Sequence, residues 1–390
     1  MISRRGFAAG LAGAVLSGHA LAEGAASHKA HRHVDEAMAP IIKDWQAQSP
    51  KTPGVAVGIR FSNGHVWNRG FGLADLRGRR PMPANGFMRV GSVTKTFTGT
   101  VLLQLVDAGL IGLDDTLSQH IRGAIPPIPD ADRITIRMLG NMSSGLFDYV
   151  DIVEPGSDPS ARIWTRPFTM ATPRELVTIG LSRPPNFPPG QGWNYSNTNF
   201  VLLGMIIRNL TGRSLSSNIR QRILKPLGLS DTYFPLNTKY QYPHPEGYSL
   251  KGPDYTSLAQ ITSIHAGSGA WACGNMISTP QDMLRYAKPL ATGRLISKTV
   301  QKERTKWLDG TPYAPGKPFT DQKYGFALAK LDGLIGHGGN IQGYDTFLGH
   351  LPAVDASIVV ISNLYLTNDP GLGSPGLAKQ LAARLLSEAI

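Results

Sequence analysis

The order of element types along this 390-residue chain limits what it can fold into: strand-like segments lie at both ends and helix-like segments lie between. Near the start, Gly54–Phe61 and His65–Gly72 read as two strands. They are separated by Asn63-Gly64, a pair that tolerates positive φ and marks a hairpin. Near the end, Tyr324–Lys330, a turn at Asp332-Gly333, Leu334–Gly338, Tyr344–Leu351 and Ser357–Asn363 predict a meander. Between them, apolar residues at 97, 101, 102, 105, 106 and 110 predict an amphipathic helix over Val93–Leu110, with Gly109 near its end. Further helices are predicted after Thr172-Pro173, from about Asn199 to Leu210, and over Pro280–Leu290 with Thr279 as cap. Val34, Met38, Ile41, Ile42 and Trp45 recur at helical spacing despite Pro40, and Leu377, Leu381 and Leu385 form one stripe after Ser374-Pro375. Residues 236–260 and 303–322 read as surface loops, and 151–192 is rich in Pro and Gly. The pattern predicts an α+β fold: an antiparallel β-sheet assembled from the two chain ends, flanked by N- and C-terminal helices, with a mainly helical lobe inserted. The α/β lobe is expected over about 34–90 and 284–388, and the helical lobe over about 91–283.

Composition removes several function classes. With 41% hydrophobic and 17% charged residues the chain is not of the disordered kind. One cysteine, Cys273, excludes an internal disulfide framework and a cysteine-only metal cluster. No apolar run reaches the roughly 18 residues of a membrane span. Basic residues number 39 against 27 acidic, a net charge of +12. The excess is scattered, without the long Lys/Arg run of a nucleic-acid-binding segment. Ser3-Arg4-Arg5-Gly6-Phe7, a short apolar stretch over Ala8–Leu16 and Ala20-Leu21-Ala22 read as a twin-arginine-type export signal over residues 1–22. A linker over 23–33 follows. Its His28, His31 and His33 could ligate a metal, but read better as solvated residues. The expected location is periplasmic or secreted.

Three short motifs could carry chemistry. Ser92-Val93-Thr94-Lys95 puts an amine one helical turn from a hydroxyl that needs a base to become a nucleophile. A helix start also offers N–H groups to a developing oxyanion. The plainer alternative is Ser92 as a helix cap and Lys95 as a solvated first-turn residue. Tyr195-Ser196-Asn197 follows the Pro-Gly loop; tyrosine can shuttle a proton and asparagine can hold an acyl carbonyl. The alternative is a capping turn with Asn197 as cap. His337-Gly338-Gly339-Asn340 falls at a strand end, where glycines admit a close approach. The alternative is a hairpin with bulge glycines, and His265-Ala266-Gly267 is a lower-ranked rival of the same spelling.

Together these motifs resemble the active site of the serine β-lactamase and penicillin-binding protein superfamily, in the branch of class C β-lactamases, D-alanyl-D-alanine carboxypeptidases and related esterases. Ile134–Leu139 with Ser143-Ser144-Gly145-Leu146, Pro189-Gly190 ahead of Tyr195–Phe200, Pro226–Thr232 and Ser278–Met283 extend the resemblance over roughly residues 35–388. It implies Ser92 as nucleophile, Lys95 and Tyr195 as proton acceptors without saying which is the base, and N–H groups of Ser92 and Asn340 as oxyanion hole. Asn197 would orient the acyl amide, and His337, Gly338, Gly339 and Asn340 would line the substrate side. No metal or organic cofactor is implied. The implied partner is a small-molecule or peptide substrate with an acyl group, peptidoglycan among the candidates and nucleic acid not. Met138 and Met142 stand where many relatives carry histidine. His337 stands where class C β-lactamases carry the lysine of Lys-Thr-Gly, a permanent cation; a neutral histidine anchors an anion less well. This favours an exported carboxypeptidase-like peptidase or esterase. A class C-type β-lactamase, or a silent penicillin- or wall-binding module, is the alternative.

Overall fold

The computed structural model describes residues 33–121, 126–152, 170–237, 240, 242–251, 257–260, 269–310, 320–365 and 372–387. The leader, most of the linker with His28 and His31, and His265-Ala266-Gly267 lie outside these residues. His33 opens the first helix, α1 (33–48), and is exposed.

Both chain ends build one sheet. The strands are β1 (Gly54–Arg60), β2 (Val66–Asp75), β3 (Arg80–Pro81), β4 (Leu308–Asp309), β5 (Gln322–Gly325), β6 (Leu328–Leu331), β7 (Leu334–Ile341), β8 (Tyr344–Leu351) and β9 (Ala356–Ser362). They lie in the order β3-β2-β1-β9-β8-β7-β6-β5-β4, every neighbouring pair antiparallel. The seam between the ends is β1 on β9, with Val57 opposite Val360 and Ile59 opposite Ile358. The middle strands β8 and β9 are buried along their whole length, as strands covered on both faces are. The fold class is the expected one.

Helices cover the sheet and fill the space beside it. In α1, Val34, Met38, Ile42 and Trp45 are buried. Later helices are α2 (Thr94–Asp107), α3 (Pro173–Gly180), α4 (Asn197–Thr211), α5 (Trp271–Gly274), α6 (Pro280–Thr292), α7 (Lys298–Arg304) and α8 (Ser374–Ser387). Thr172 and Thr279 cap α3 and α6, each through an oxygen accepting an N–H three residues on. Gly212 ends α4 in the left-handed region. Both α6 and α8 pack against β8 and β9. No helix among the described residues is long and apolar enough to cross a membrane.

Four expectations are corrected. Helix α2 is not amphipathic: every residue from Val93 to Leu103 is buried. Its threonines are polar, yet they are satisfied inside. Thr96, Thr98 and Thr100 donate to the carbonyls of Val93, Ala272 and Thr96, and Thr94 Oγ1 accepts from Met276 N. The strand expected over Tyr324–Lys330 is a hairpin, β5 and β6, folded at Phe326-Ala327. Ala327 takes φ +53, and its N–H reaches the Gly140 carbonyl at 2.9 Å. The segment expected as a loop over 236–260 holds two strands, Tyr248–Lys251 and Ser257–Gln260, and that over 303–322 holds β4. The hairpin expected at Asn63-Gly64 is present between β1 and β2, with Gly64 at φ +85 and Asn63 accepting the His65 N–H.

Candidate active site

Ser92 sits in a single 3-10 turn, Gly91–Val93, that runs into α2. Two backbones grip that turn. On one side Met88–Arg89 pairs with Ile277–Ser278, and Val90 N donates to Met276 O at 3.1 Å. On the other side lies β7. A Cβ on Gly339 would stand 1.9 Å from Val90 O and 3.1 Å from Ser92 N, and one on Gly91 would stand 2.9 Å from Asn340 N. Side chains are therefore excluded from both, and the Ser92 turn rests directly on the β7 main chain. Gly338 and Gly339 are buried, while Asn340 is exposed.

The Ser92 hydroxyl caps no helix. It is half-buried and meets Lys95, whose Nζ donates to Ser92 Oγ at 2.9 Å. The same ammonium donates to Asn197 Oδ1 at 2.6 Å and to the Cys273 carbonyl at 3.0 Å. Three donors thus have three acceptors, inside a fully buried site where an unpaired charge would be costly. The ring of Tyr195 lies below the cation, 4.7 Å from Nζ to the centroid, and Phe200 adds a second face at 5.7 Å. Burial pulls the Lys95 ammonium down to about 8, against the opposing influence of Cys273 and Asp148. Tyr195 hydrogen-bonds the Ser92 side chain and moves the other way: burial, then the neighbouring Tyr324, pushes its phenol well above the usual tyrosine range.

Tyr195 and Asn197 are delivered by the loop before α4. Asn186 N, Gly190 N and Asn194 N donate to the carbonyls of Gly145, Ser143 and Met142, laying the loop along the 142–145 segment. Met142 turns its sulfur to Ser196 N at 3.4 Å and to the Asn199 amide at 3.5 Å. Ser196, not Asn197, occupies the cap position of α4. Asn197 is the first helical residue, and its amide bridges Lys95 to Asp148, donating to Asp148 Oδ2 at 2.8 Å.

His337 is fully buried beneath this cluster. Its Nδ1 donates to the Gly338 carbonyl, since a carbonyl can only accept, and its Nε2 then accepts the Tyr324 hydroxyl at 2.9 Å. Burial first, and then the charge on Lys95, pulls the imidazole down to about 3, so the ring is neutral. Both nitrogens are engaged within the fold, and the ring meets Tyr195 only at a centroid distance of 6.4 Å. The structure therefore brings Ser92, Lys95, Tyr195 and Asn197 together through hydrogen bonds, and sets Gly339 and Asn340 beside them. His337 stands behind Tyr324 instead.

Three participants escaped the sequence reading. The Cys273 carbonyl and Tyr324 carry no local signal, because main-chain atoms and a strand tyrosine look the same in any fold. Asp148 lies just after Ser143-Ser144-Gly145-Leu146, and that position was the only available pointer. Among the described residues no cluster of three or more His, Cys, Asp or Glu could hold a metal ion. Chemically, the site offers a hydroxyl with a lowered-pKa amine and a high-pKa phenol both bonded to it, the combination that makes a serine nucleophilic.

Known proteins share this arrangement of elements. A D-stereospecific amidohydrolase from a Streptomyces species is 29% identical and superposes with a TM-score of 0.75, covering 92% of this chain and 99% of its own. The D-amino acid amidase of Ochrobactrum anthropi SV3, solved with L-phenylalanine amide, is 27% identical with a TM-score of 0.77, covering 91% and 98%. A D-aminopeptidase of Cereibacter sphaeroides is 27% identical over 321 residues, which are 80% of this chain and 57% of that protein. The chain spans about three fifths of the length of the curated relatives it matches. The family model described as Beta-lactamase matches residues 30–383, the whole of the sheet and the helical lobe between its halves. By that match, the chain belongs to the Beta-lactamase family.

Proposed function

We propose that this protein is an exported serine hydrolase that forms an acyl-enzyme on Ser92 and cleaves amides or short peptides of D-amino acids. One observation carries the reading: a fully buried lysine, pulled down to about 8, bonded to a serine hydroxyl that a tyrosine also bonds. Neutral Lys95 takes the Ser92 proton as Oγ attacks the carbonyl carbon. Lys95 is the better base of the two, because Tyr195 rests as a phenol. The oxyanion would be received by main-chain N–H groups of Ser92 and Asn340. When the carbon–nitrogen bond breaks, Tyr195 gives its proton to the departing amine and Lys95 returns one to Tyr195. Water then attacks the ester and gives a proton to Lys95, which passes it to Ser92 Oγ as the acyl–oxygen bond breaks, releasing the acid and restoring the neutral Lys95 amine. Asn197 holds Lys95 in place for both halves. The D-preference is drawn from the amidohydrolase, the amidase and the D-aminopeptidase to which the chain is similar.

A hydrolysis panel tests this: a D-amino-acid amide and its L enantiomer, a D-Ala-D-Ala peptide, a p-nitrophenyl ester and a chromogenic cephalosporin. We expect turnover of the D-amide or the D-peptide, little of the L-amide, and slow turnover of the cephalosporin. The last follows from His337, which is neutral and engaged where β-lactamases carry lysine. A cephalosporin cleaved faster than every amide and peptide would transfer the assignment to a β-lactamase. The panel is run on protein recovered from outside the cytoplasm, whose chain should begin at Glu23. Protein found only inside the cytoplasm, its chain still starting at Met1, would remove export from the reading.

A further inference from the structure

We propose that Asp148 is a positioning residue for this reaction: it fixes the orientation of the Asn197 amide and sets a carboxylate across that amide from the Lys95 ammonium. The inference rests on the roles given above to Ser92 and Lys95. Asp148 is buried, at 4% exposure. Its Oδ2 accepts from Asn197 Nδ2 at 2.8 Å, and its Oδ1 accepts from Val150 N at 3.1 Å. A side-chain amide has one donating end and one accepting end. A carboxylate only accepts, so the NH2 end of Asn197 must face Asp148 and the oxygen must face Lys95, as observed at 2.6 Å. Turning the amide over would place NH2 against an ammonium and oxygen against a carboxylate, two repulsive contacts in a buried site. Asp148 is what forbids that turn. In holding Asn197 it holds an acceptor of Lys95, and so the direction in which Nζ meets Ser92 Oγ.

The carboxylate also acts through charge. The titratable groups that face it are Lys95 from α2, Asp151 and Tyr149 from its own segment, Tyr195 before α4 and Cys273 on α5. Lys95 is the one cation among them. Burial pushes Asp148 up to about 6, so it is ionised across the range in which Lys95, at about 8, gives up its proton. A negative charge there makes Lys95 hold its proton more tightly. Removing the charge must move the pH at which Lys95 becomes a base downward.

The test is single-turnover acylation by a p-nitrophenyl ester as a function of pH, on variants shown to fold by circular dichroism. For Asp148→Asn the acid limb should shift to lower pH by about half to one unit. Its plateau should fall about tenfold, because an amide can present either end to Asn197. Asp148→Glu keeps the charge and should return the limb toward the wild-type position. An Asp148→Asn limb that coincides with wild type, with only a pH-independent loss of rate, would overturn the proposal, as would an Asp148→Glu variant displaced like Asp148→Asn. If Asp148→Asn does not fold, Asp148→Ser is read by the same criteria. Ser92→Ala run in parallel separates the two levels. Residual acylation of that variant refutes the nucleophile assignment, whereas an inert Ser92→Ala with an unmoved Asp148→Asn limb refutes the Asp148 role alone.

Discussion

The proposed reaction depends on a single proton, the one on Lys95. Three acceptors suit the ammonium form, but burial opposes the charge more strongly than they favour it, and the balance falls at about 8. Only the neutral amine can accept from Ser92. At pH 7 about a tenth of the molecules are then competent, and the fraction grows as pH rises. Pre-steady-state acylation should accordingly climb about tenfold from pH 7 toward pH 9 and level off, a profile read by stopped flow. A rate that falls over this range would exclude Lys95 as the base. Sequence reading singled out Ser92, Lys95, Tyr195 and Asn197 through the joint resemblance of three motifs, since each motif alone also fits a plain capping turn; the structure brings the four side chains together. It could not reach the state of His337, which depends on Tyr324 from the neighbouring hairpin and on Gly338 in its own strand. A histidine three glycine-rich residues from a substrate-side asparagine looks available until its two partners are seen.

Among the elements, the contact that matters most is the one between β7 and the 3-10 turn. Oxyanion N–H groups work only if they are already in place, so the two backbones must be held closely and rigidly. Gly339→Ala places a methyl 1.9 Å from Val90 O, a backbone atom that cannot swing aside. The strand and the turn must separate, and a misplacement on the order of 1 Å lowers kcat by about a hundredfold. Gly64→Ala, at φ +85 in the β1–β2 turn with nothing within 4 Å, should cost about 1 kcal/mol of stability and leave kcat unchanged. Steady-state kinetics beside urea unfolding of both variants checks this. Equal kcat in Gly339→Ala and wild type would remove the close contact from the mechanism. The same scale shows where pattern reading fails. Helix α2 was legible as a helix, but its burial all round was not, since four buried threonines are satisfied by carbonyl and N–H groups that only the folded chain supplies. The break at Phe326-Ala327 was hidden as well. It comes from Phe326 filling the space over Gly140, where a Cβ would meet its ring at 2.1 Å.

At the scale of the whole molecule, the two chain ends build one sheet, and Ser92, the proposed nucleophile, stands in the 3-10 turn that leads into the inserted helices. That plan was readable because apolar runs such as Val55–Ile59 and Ile358–Ile361 mark strands covered on both faces, while the middle of the chain repeats at helical spacing. The strands near Tyr248 and Ser257 were not readable, as short strands among polar and Pro-rich residues give no sustained alternation. Joining the two ends in one sheet is what brings Gly339 of β7 onto Ser92, 247 residues earlier. It also ties the last helix in: Ser374 N donates to the Asp345 carboxylate on β8 at 2.6 Å, and Ser374 Oγ donates to the Asp345 carbonyl at 2.7 Å. A protein so assembled holds the Ser92 hydroxyl half-buried against Lys95. Its direct test is to trap the acyl-enzyme or its mimic with a fluorophosphonate, digest the protein and locate the adduct by mass. The adduct should sit on the peptide containing Ser92 and be absent from a folded Ser92→Ala variant; an adduct on any other residue, or one that survives in Ser92→Ala, would contradict the account.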